Sequence, residues 1–332
     1  MLTSSNVTDL SFTFTSGNIM LLTSDSQYDQ HTGGVILPIP RSQLDTWSNQ
    51  GATVTSQKTH ESIRIALESY EWPPGVTYDV YLQGSYRNTT NIYGNSDVDL
   101  VVELTSAFQY DISNLSLSEQ GKYRADHSMA TYRVDNFKDD VIQALHSYYG
   151  SSLVSRGNKS IKLSAGSNRL AADIVPCIEY HAYRSYRSLS DHDCVRGITF
   201  YTERDHRQVI NFPKIHYGNG ASKNSQAGMN YKPTVRMFKN ARNRLIGDGN
   251  LLPGVAPSYF VECLLYNVPS EKFVSNPCTT FYNVLEYLHA TNPQPFICQN
   301  EQTPLFGSSA EQWSTTNATQ LVNGLVSLWN NW

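Results

Sequence analysis

Charged residues are scarce in this chain of 332 residues, at 16% of positions against roughly 25% in typical soluble proteins. Lys and Arg together number 25, fewer than the 29 Asp and Glu, and the formal net charge is −4. A protein that holds long nucleic acids by bulk electrostatics normally carries a basic domain. The composition therefore excludes a long nucleic acid as the expected partner and leaves room only for a locally basic pocket.

Long apolar runs are also missing, because no stretch of the sequence approaches the roughly 18 consecutive apolar residues of a membrane-spanning helix. No basic segment precedes the short apolar cluster at 19–22, which argues against a secretory signal. The five cysteines form no CxxC or CxxH pair, so we expect free thiols in a reducing compartment. The GxSxG and HExxH patterns of hydrolases are absent as well. These absences predict a cytoplasmic protein with no membrane partner.

The pattern of apolar residues divides the chain into three segments. Residues 1–37 contain no Lys or Arg and have no sustained periodicity, so we expect an N-terminal extension, with Met20 as an alternative initiator. Residues 38–210 mix helical with strand-like patterns, whereas residues 211–332 are mostly helical. The sequence therefore predicts an α+β fold with a C-terminal helical lobe.

The elements of this fold can be predicted approximately. After a helix start near residue 42, the predicted helices cover about 55–70, 130–149, 232–245, 259–266, 281–288 and 311–329. The predicted strands cover about 78–83, 97–102, 161–163 and 171–178. The Gly- and Asn-containing segment 217–223 is expected to be a mobile loop.

Two aspartates, Asp97 and Asp99, begin a predicted strand, in which alternate side chains point to the same side. Two carboxylates this close repel each other unless a cation lies between them. Oxygen ligands of this kind favour Mg²⁺ or Mn²⁺, which also bind substrate phosphates. The preceding turn at Gly84 and Ser85 offers a backbone amide and a hydroxyl to phosphate oxygens. The pattern predicts a site for metal and triphosphate.

A third acid, Asp173, lies in the otherwise apolar segment 170–175. A carboxylate in an apolar strand is costly unless it is paired or bound to metal. Together with Asp97 and Asp99 it would bind two Mg²⁺ ions, one activating an attacking hydroxyl and the other stabilising the leaving pyrophosphate. The alternative for the first two aspartates is a solvated strand edge, which is the usual location of charged residues.

These residues resemble the signature of the polymerase-β-like nucleotidyltransferases, which has Gly-Ser, a short spacer, Asp-x-Asp and a later single Asp on a strand. From Pro40 to Trp332 the chain more closely resembles clade E of the bacterial cGAS/DncV-like nucleotidyltransferases of the CBASS anti-phage systems. The segments that carry this likeness are Gly51–Thr53, Gly84–Tyr86, Phe212–Tyr217 and Glu262–Asn267. The resemblance implies a polymerase-β-like core with a mixed sheet over residues 38–210, and a helical lobe over residues 211–332 that completes a nucleotide cleft.

The resemblance also implies roles for individual residues. Gly84 and Ser85 match the turn that holds the triphosphate. Asp97, Asp99 and Asp173 match the catalytic metal ligands.

The second half of the chain has further matches. Lys239 and Ser258 match the family's phosphate contacts, and Tyr259 matches the aromatic residue that stacks on the donor base. Asn211 falls where clade E carries an asparagine that reads the uracil edge, which its amide fits because it both donates and accepts. UTP would then be a preferred substrate. Each of these residues also has a purely structural explanation, because such residue types are common elsewhere in proteins. Tyr259 could belong to the core, Asn211 to a turn and Lys239 to a solvated helix face.

The function implied by the resemblance is the synthesis of a 3′,3′ cyclic dinucleotide. UTP would be joined to ATP or to a second UTP, pyrophosphate would be released, and the product would activate a separate effector protein in anti-phage defence. The enzyme itself would be a monomer. Two alternatives stay open, namely nucleotide transfer to RNA, a small molecule or a protein, and a catalytically silent nucleotide-binding module. The negative net charge weighs against RNA, and the three aspartates weigh against the silent module.

Overall fold

The computed structural model describes residues 38–51, 53–93 and 97–332, and the predicted extension at residues 1–37 lies outside this part. Its helices are α1 Arg41–Ser48, α2 Val54–Glu68, α3 Gly84–Asn88, α4 Leu117–Asp126, α5 Val134–Tyr149, α6 Pro213–Gln226, α7 Tyr231–Gly247, α8 Ser258–Tyr266, α9 Pro277–Ala290 and α10 Thr315–Asn330. Its strands are β1 Tyr78–Leu82, β2 Val98–Asp111, β3 Val154–Arg156, β4 Ile161–Leu163, β5 Ala172–Ser188, β6 Asp191–Tyr201 and β7 Gln208–Asn211. Across these ranges no helix is both long enough and apolar enough to cross a membrane.

The strands of the described chain form one mixed sheet. Its order is β1-β2-β5-β4-β3, with β6 beside β5 and β7 beside β6. β2 and β5 run parallel, whereas the other neighbouring strands are antiparallel. Because β5 is 17 residues long, it pairs with β4 near its beginning and with β6 over its later part. The predicted α+β architecture with a mixed sheet is confirmed.

The two faces of β2 have different environments because successive side chains alternate across a strand. Val98, Leu100 and Val102 are fully buried in the core that the sheet forms with α2 and α5. Each such side chain contributes roughly 1.5–3 kcal/mol when it leaves water. Asp99 and Glu103 occupy the alternate positions and point to the other face. The packed face thereby fixes which side of the sheet carries the acidic groups.

The C-terminal helices have a core of their own, centred on α7. Phe238 of α7 packs against Phe281 of α9, which stacks on Trp329 of α10. Helix α1 precedes the sheet in the sequence, yet its Leu44 is buried in this same core, against α7 and α9. The chain therefore begins its described part on the helical lobe. The predicted division between residues 210 and 211 stays a prediction.

Candidate functional site

The turn after β1 comes close to a carboxylate of β2. Gly84 has φ +60°, a left-handed conformation that glycine adopts without steric cost. A Cβ at this position would lie 2.5 Å from Oδ2 of Asp99, so a side chain would displace the carboxylate. The N–H of Gln83 donates to the backbone carbonyl of Asp99 at 2.9 Å. The turn and the acid thus form one fixed unit.

The predicted acids lie on one face of the sheet. Asp99 and Asp173 are directly paired positions of the parallel strands β2 and β5, so their side chains project in the same direction. Asp97 directly precedes β2 and is exposed. Lys162 of β4 pairs with Asp173 across the next strand, and its Nζ lies 2.9 Å from Oδ1 of that aspartate. One lysine therefore faces three carboxylates.

The environment of Asp99 raises the pKa of its carboxyl group. Burial is the main factor that raises its pKa, to about 6, and the charges of Asp173 and Asp97 raise it further, against the opposing effect of Lys239 and Lys162. A divalent cation would relieve this repulsion, and carboxylate oxygens are the ligands that Mg²⁺ and Mn²⁺ prefer. The residues therefore fit such an ion, although no three acidic, His or Cys side chains of the described ranges already form a ready-made ligand cluster.

A cavity of about 850 Å³ opens between this face of the sheet and helices α3, α6 and α8. Its volume is near the upper end of the roughly 300–1,000 Å³ that small-molecule sites span. Eight of the nine predicted site residues line it, namely Gly84, Ser85, Asp97, Asp99, Asp173, Asn211, Ser258 and Tyr259. The fold therefore brings together in one cavity residues that are far apart in the sequence.

The helical side of the cavity presents polar and aromatic groups. Ser258 begins α8, and its Oγ accepts hydrogen bonds from the Arg242 guanidinium at 3.4 Å. The Tyr259 ring stacks on His216, with ring centroids 5.3 Å apart. Asn211 ends β7, and its Oδ1 accepts from the next backbone N–H at 2.8 Å. A nucleotide in the cavity would meet the hydroxyl, the aromatic ring and the carboxamide together.

The ninth predicted residue, Lys239, does not line the cavity. Its side chain is 1% exposed, and its ammonium donates to the carboxylate of Glu262 and, at 3.2 Å, to the carbonyl of Thr90. Lys239 therefore lies neither at the cavity surface nor on the solvated helix face considered as its alternative. Its predicted contact with phosphate stays a prediction.

Several charged residues at this site were not predicted, among them Glu262 and Lys162. Glu262 lines the cavity and lies in the apolar helix α8, so it carried the same signal as Asp173, a lone acid among apolar residues. Lys162 had no comparable signal, because its importance arises from the pairing of β4 with β5. Tertiary pairing of this kind cannot be derived from local patterns.

Comparison with known proteins identifies the family. A model of the cGAS/DncV-like nucleotidyltransferase C-terminal helical domain matches residues 218–330. The cyclic UMP-AMP synthase of Rhodothermus marinus is 48% identical over 296 residues, which cover 89% of this chain and 99% of the relative. The chain belongs to the cGAS/DncV-like nucleotidyltransferases.

Two more comparisons define this nucleotidyltransferase further. Cyclic nucleotide synthase CdnE01 of Staphylococcus haemolyticus is 41% identical over 302 residues, covering 89% of this chain and all of the relative (100%). The solved structure of the Rhodothermus marinus CdnE c-UMP-AMP synthase with Apcpp and Upnpp superposes with a TM-score of 0.81 at 47% identity, covering 89% and 98% of the two chains. The predicted fold, clade E membership and nucleotidyltransferase class are confirmed. Such enzymes generally use divalent metal ions.

Proposed function

We propose that this nucleotidyltransferase joins UTP and ATP into the 3′,3′ cyclic dinucleotide cyclic UMP-AMP and releases pyrophosphate. The observation that carries the proposal is the pairing of Asp99 with Asp173 beside the Gly84 turn, at the floor of a cavity large enough for nucleotides. The Rhodothermus marinus relative is named for this product. The second candidate product is cyclic di-UMP, which would form from two molecules of UTP.

In the proposed reaction, the 3′-hydroxyl of one nucleotide attacks the α-phosphate of the other. A phosphodiester bond forms, the bond to the β-phosphate breaks, and pyrophosphate leaves. The backbone amide of Gly84 and the hydroxyl of Ser85 would hold the triphosphate, together with Ser258. The ring of Tyr259 would stack on the donor base. A second round, after the linear intermediate has turned around, closes the ring.

Asp97, Asp99 and Asp173 would hold two Mg²⁺ ions, which supply activation of the hydroxyl and charge stabilisation of the leaving pyrophosphate. Mn²⁺ is the alternative ion with the same ligand preference. Lys162 Nζ, 2.9 Å from Oδ1 of Asp173, would help to orient that carboxylate on β5. These side chains would therefore orient the reacting groups against the face of a rigid sheet.

We propose further that the cyclic product acts as a second messenger in anti-phage defence. A separate effector protein would bind it, as the clade E assignment suggests. The enzyme would act as a monomer in the cytoplasm, with UTP and ATP as its substrates.

Product analysis tests the proposed function. The protein is incubated with UTP, ATP and Mg²⁺, treated with phosphatase, and the products are identified by mass spectrometry. Cyclic UMP-AMP survives the phosphatase because a ring has no terminal phosphate. The Asp97→Ala variant serves as the matched control and is expected to fold normally and make no product.

Other outcomes identify the alternatives. Transfer of a nucleoside monophosphate to an added RNA, small-molecule or protein acceptor, detected as the matching increase in the mass of the acceptor, would indicate a nucleotidyltransferase of another kind. If no combination of nucleotides releases pyrophosphate, the chain is a silent nucleotide-binding module.

Asn211→Ala is expected to lower the incorporation of uridine relative to adenosine by about tenfold, because a site that hydrogen-bonds a base edge loses about 1–3 kcal/mol with each such contact. Competition between equimolar UTP and ATP, with product ratios read by mass spectrometry, measures the effect. An unchanged product ratio would show that the carboxamide does not read the base.

A further inference from the structure

Glu262 is a buried carboxylate at the junction of the two lobes. Its side chain is 6% exposed and projects from the middle of α8. Four side chains surround it: Asn88 Nδ2 at 3.1 Å, Thr90 Oγ1 at 2.6 Å, His216 Nε2 at 3.3 Å, and the ammonium of Lys239. A single acid therefore gathers groups from three other parts of the chain.

Two of these groups belong to the segment that follows the triphosphate turn. Asn88 ends α3, and the hydroxyl of Thr90 donates to Glu262 two residues later. The backbone N–H of Thr90 in turn donates to the carbonyl of Ser85 at 2.9 Å. A continuous path of hydrogen bonds thus runs from Glu262 to the turn at Gly84 and Ser85.

Helix α7 holds the same segment independently. The Arg236 guanidinium donates to the carbonyl of Thr89 at 2.5 Å, and the Lys239 ammonium donates to the carbonyl of Thr90 at 3.2 Å. Thr89 has φ +57°, which is unusual for a β-branched residue. The carbonyls of Thr89 and Thr90 both accept hydrogen bonds from α7, which hold Thr89 in this conformation. The helical lobe therefore fixes the backbone at the end of α3.

The remaining contact leads to the base-stacking side of the cavity. His216 of α6 lies between Glu262 and the ring of Tyr259, on which it stacks. Burial would raise the pKa of Glu262, but the charge of Lys239 and the contact with His216 outweigh it, so the pKa lies below its usual range. The carboxylate is therefore an ionised acceptor that bonds Asn88 and Thr90, just after the triphosphate turn, on one side and His216 on the other.

We propose that Glu262 is a positioning residue that sets the triphosphate turn against Tyr259, with Lys239 as its charge partner. The inference deepens the proposed function and rests on it. In this arrangement Lys239 acts on the turn through Thr90 and Glu262. A nucleotide that contacts the turn with its triphosphate and Tyr259 with its base then meets both at a fixed separation.

The experiment uses Thr90→Val, which removes one hydroxyl and retains the shape and charge of the network. Thr90 is buried and does not line the cavity. The variant can therefore change nucleotide affinity only by changing the position of the triphosphate turn. Calorimetry with Mg²⁺ measures the affinity for the non-hydrolysable triphosphate Upnpp and for UMP, and thermal unfolding is measured beside it. Thr280→Val is the matched control, since Thr280 is equally buried and its hydroxyl bonds Val274 within the helical lobe.

We expect Thr90→Val to bind Upnpp about tenfold more weakly, since the lost hydroxyl bonds two charged groups, Glu262 and Lys239. It should bind UMP as the wild type does. Thr280→Val should lower the melting temperature by a similar amount and leave both affinities unchanged. Thr90→Ser retains the hydroxyl and should restore the affinity for Upnpp. Unchanged binding of Upnpp by Thr90→Val, or an equal loss in Thr280→Val, overturns the inference.

A second variant covers the case in which Thr90→Val does not fold. The double substitution Glu262→Gln with Lys239→Met replaces the ion pair by neutral groups of similar size, a change that buried pairs often tolerate. The same selective loss of Upnpp affinity is expected, and wild-type affinity in this variant overturns the inference. If the wild-type protein bound neither nucleotide, the proposed function itself would fall, whereas failure of the inference alone leaves wild-type binding intact.

Discussion

Replacing Asp99 by asparagine is expected to lower the rate of nucleotidyl transfer by at least about 1,000-fold, equivalent to about 4 kcal/mol. The substitution retains the shape of the side chain and removes the charge that would bind metal. The same change is expected to stabilise the metal-free protein, because the charged form of Asp99 is unfavourable where it lies. Steady-state release of pyrophosphate and thermal unfolding in a chelator measure the two effects.

The pH dependence of the stabilisation follows from the pKa of Asp99, which burial and the neighbouring acids raise from 3.8 to about 6. Between these values the folded protein holds a proton that the unfolded chain releases, so rising pH destabilises the wild type through this group. The destabilisation of the folded protein by the ionised Asp99 carboxylate is absent below about pH 4 and reaches about 3 kcal/mol above pH 6. We therefore expect Asp99→Asn to melt roughly 5 °C higher at pH 7 and at nearly the wild-type temperature at pH 4.

Asp79→Asn provides the control for this prediction, because Asp79 is exposed on the neighbouring strand β1. Asp79→Asn should leave both the rate of nucleotidyl transfer and the melting temperature at pH 7 unchanged. Retained turnover in Asp99→Asn would show that the reacting groups assemble elsewhere. A difference in melting temperature between Asp99→Asn and the wild type that stays the same from pH 4 to pH 7 would show that the pKa of Asp99 is not raised in the folded protein.

Gly84→Ala is expected to lower the rate by at least about 100-fold, because a displacement of about 1 Å at a reacting centre has an effect of this size. The added methyl group would lie 2.5 Å from Oδ2 of Asp99, so either the turn or the carboxylate must move. The positive φ adds strain of its own. Pyrophosphate release and the melting temperature are measured together.

Gly75→Ala separates the two effects of the substitution. Gly75 also has a positive φ, +84°, but a Cβ there would meet nothing within 4 Å. It therefore reproduces the backbone strain without the collision. Equal losses of activity in the two variants would contradict the view that the approach of Gly84 to Asp99 is what matters.

The regular parts of the fold were predictable because their residues obey local rules. Strand β4 was predicted with its observed bounds, and α2 was predicted over 55–70 against the observed Val54–Glu68. Asp173, the lone acid in an apolar strand, lines the cavity, whereas its predicted role as a metal ligand stays a prediction. These signals depend on alternation, periodicity and the cost of burying charge, all of which are visible in a single segment.

The errors arose where tertiary packing overrides local preference. Residues 217–223 were predicted as a mobile loop because of Gly218 and Gly220, yet they lie within α6. The prediction was wrong because a Cβ at Gly220 would lie 2.3 Å from the Gln299 side chain, so glycine serves close packing there. Helix α4 was missed although Ser116 and Glu119 form a capping box at its beginning.

The location of α1 has a mechanical consequence. Because α1 packs on the helices while α2 packs on the sheet, the polypeptide passes between the lobes at two places, once between α1 and α2 and again between β7 and α6. These two connections act together with the hydrogen bonds that Arg236, Lys239 and Glu262 make to the segment at 88–90. The distance between the acids on the sheet and Tyr259 on α8 is therefore restrained by the covalent path of the chain as well as by hydrogen bonds.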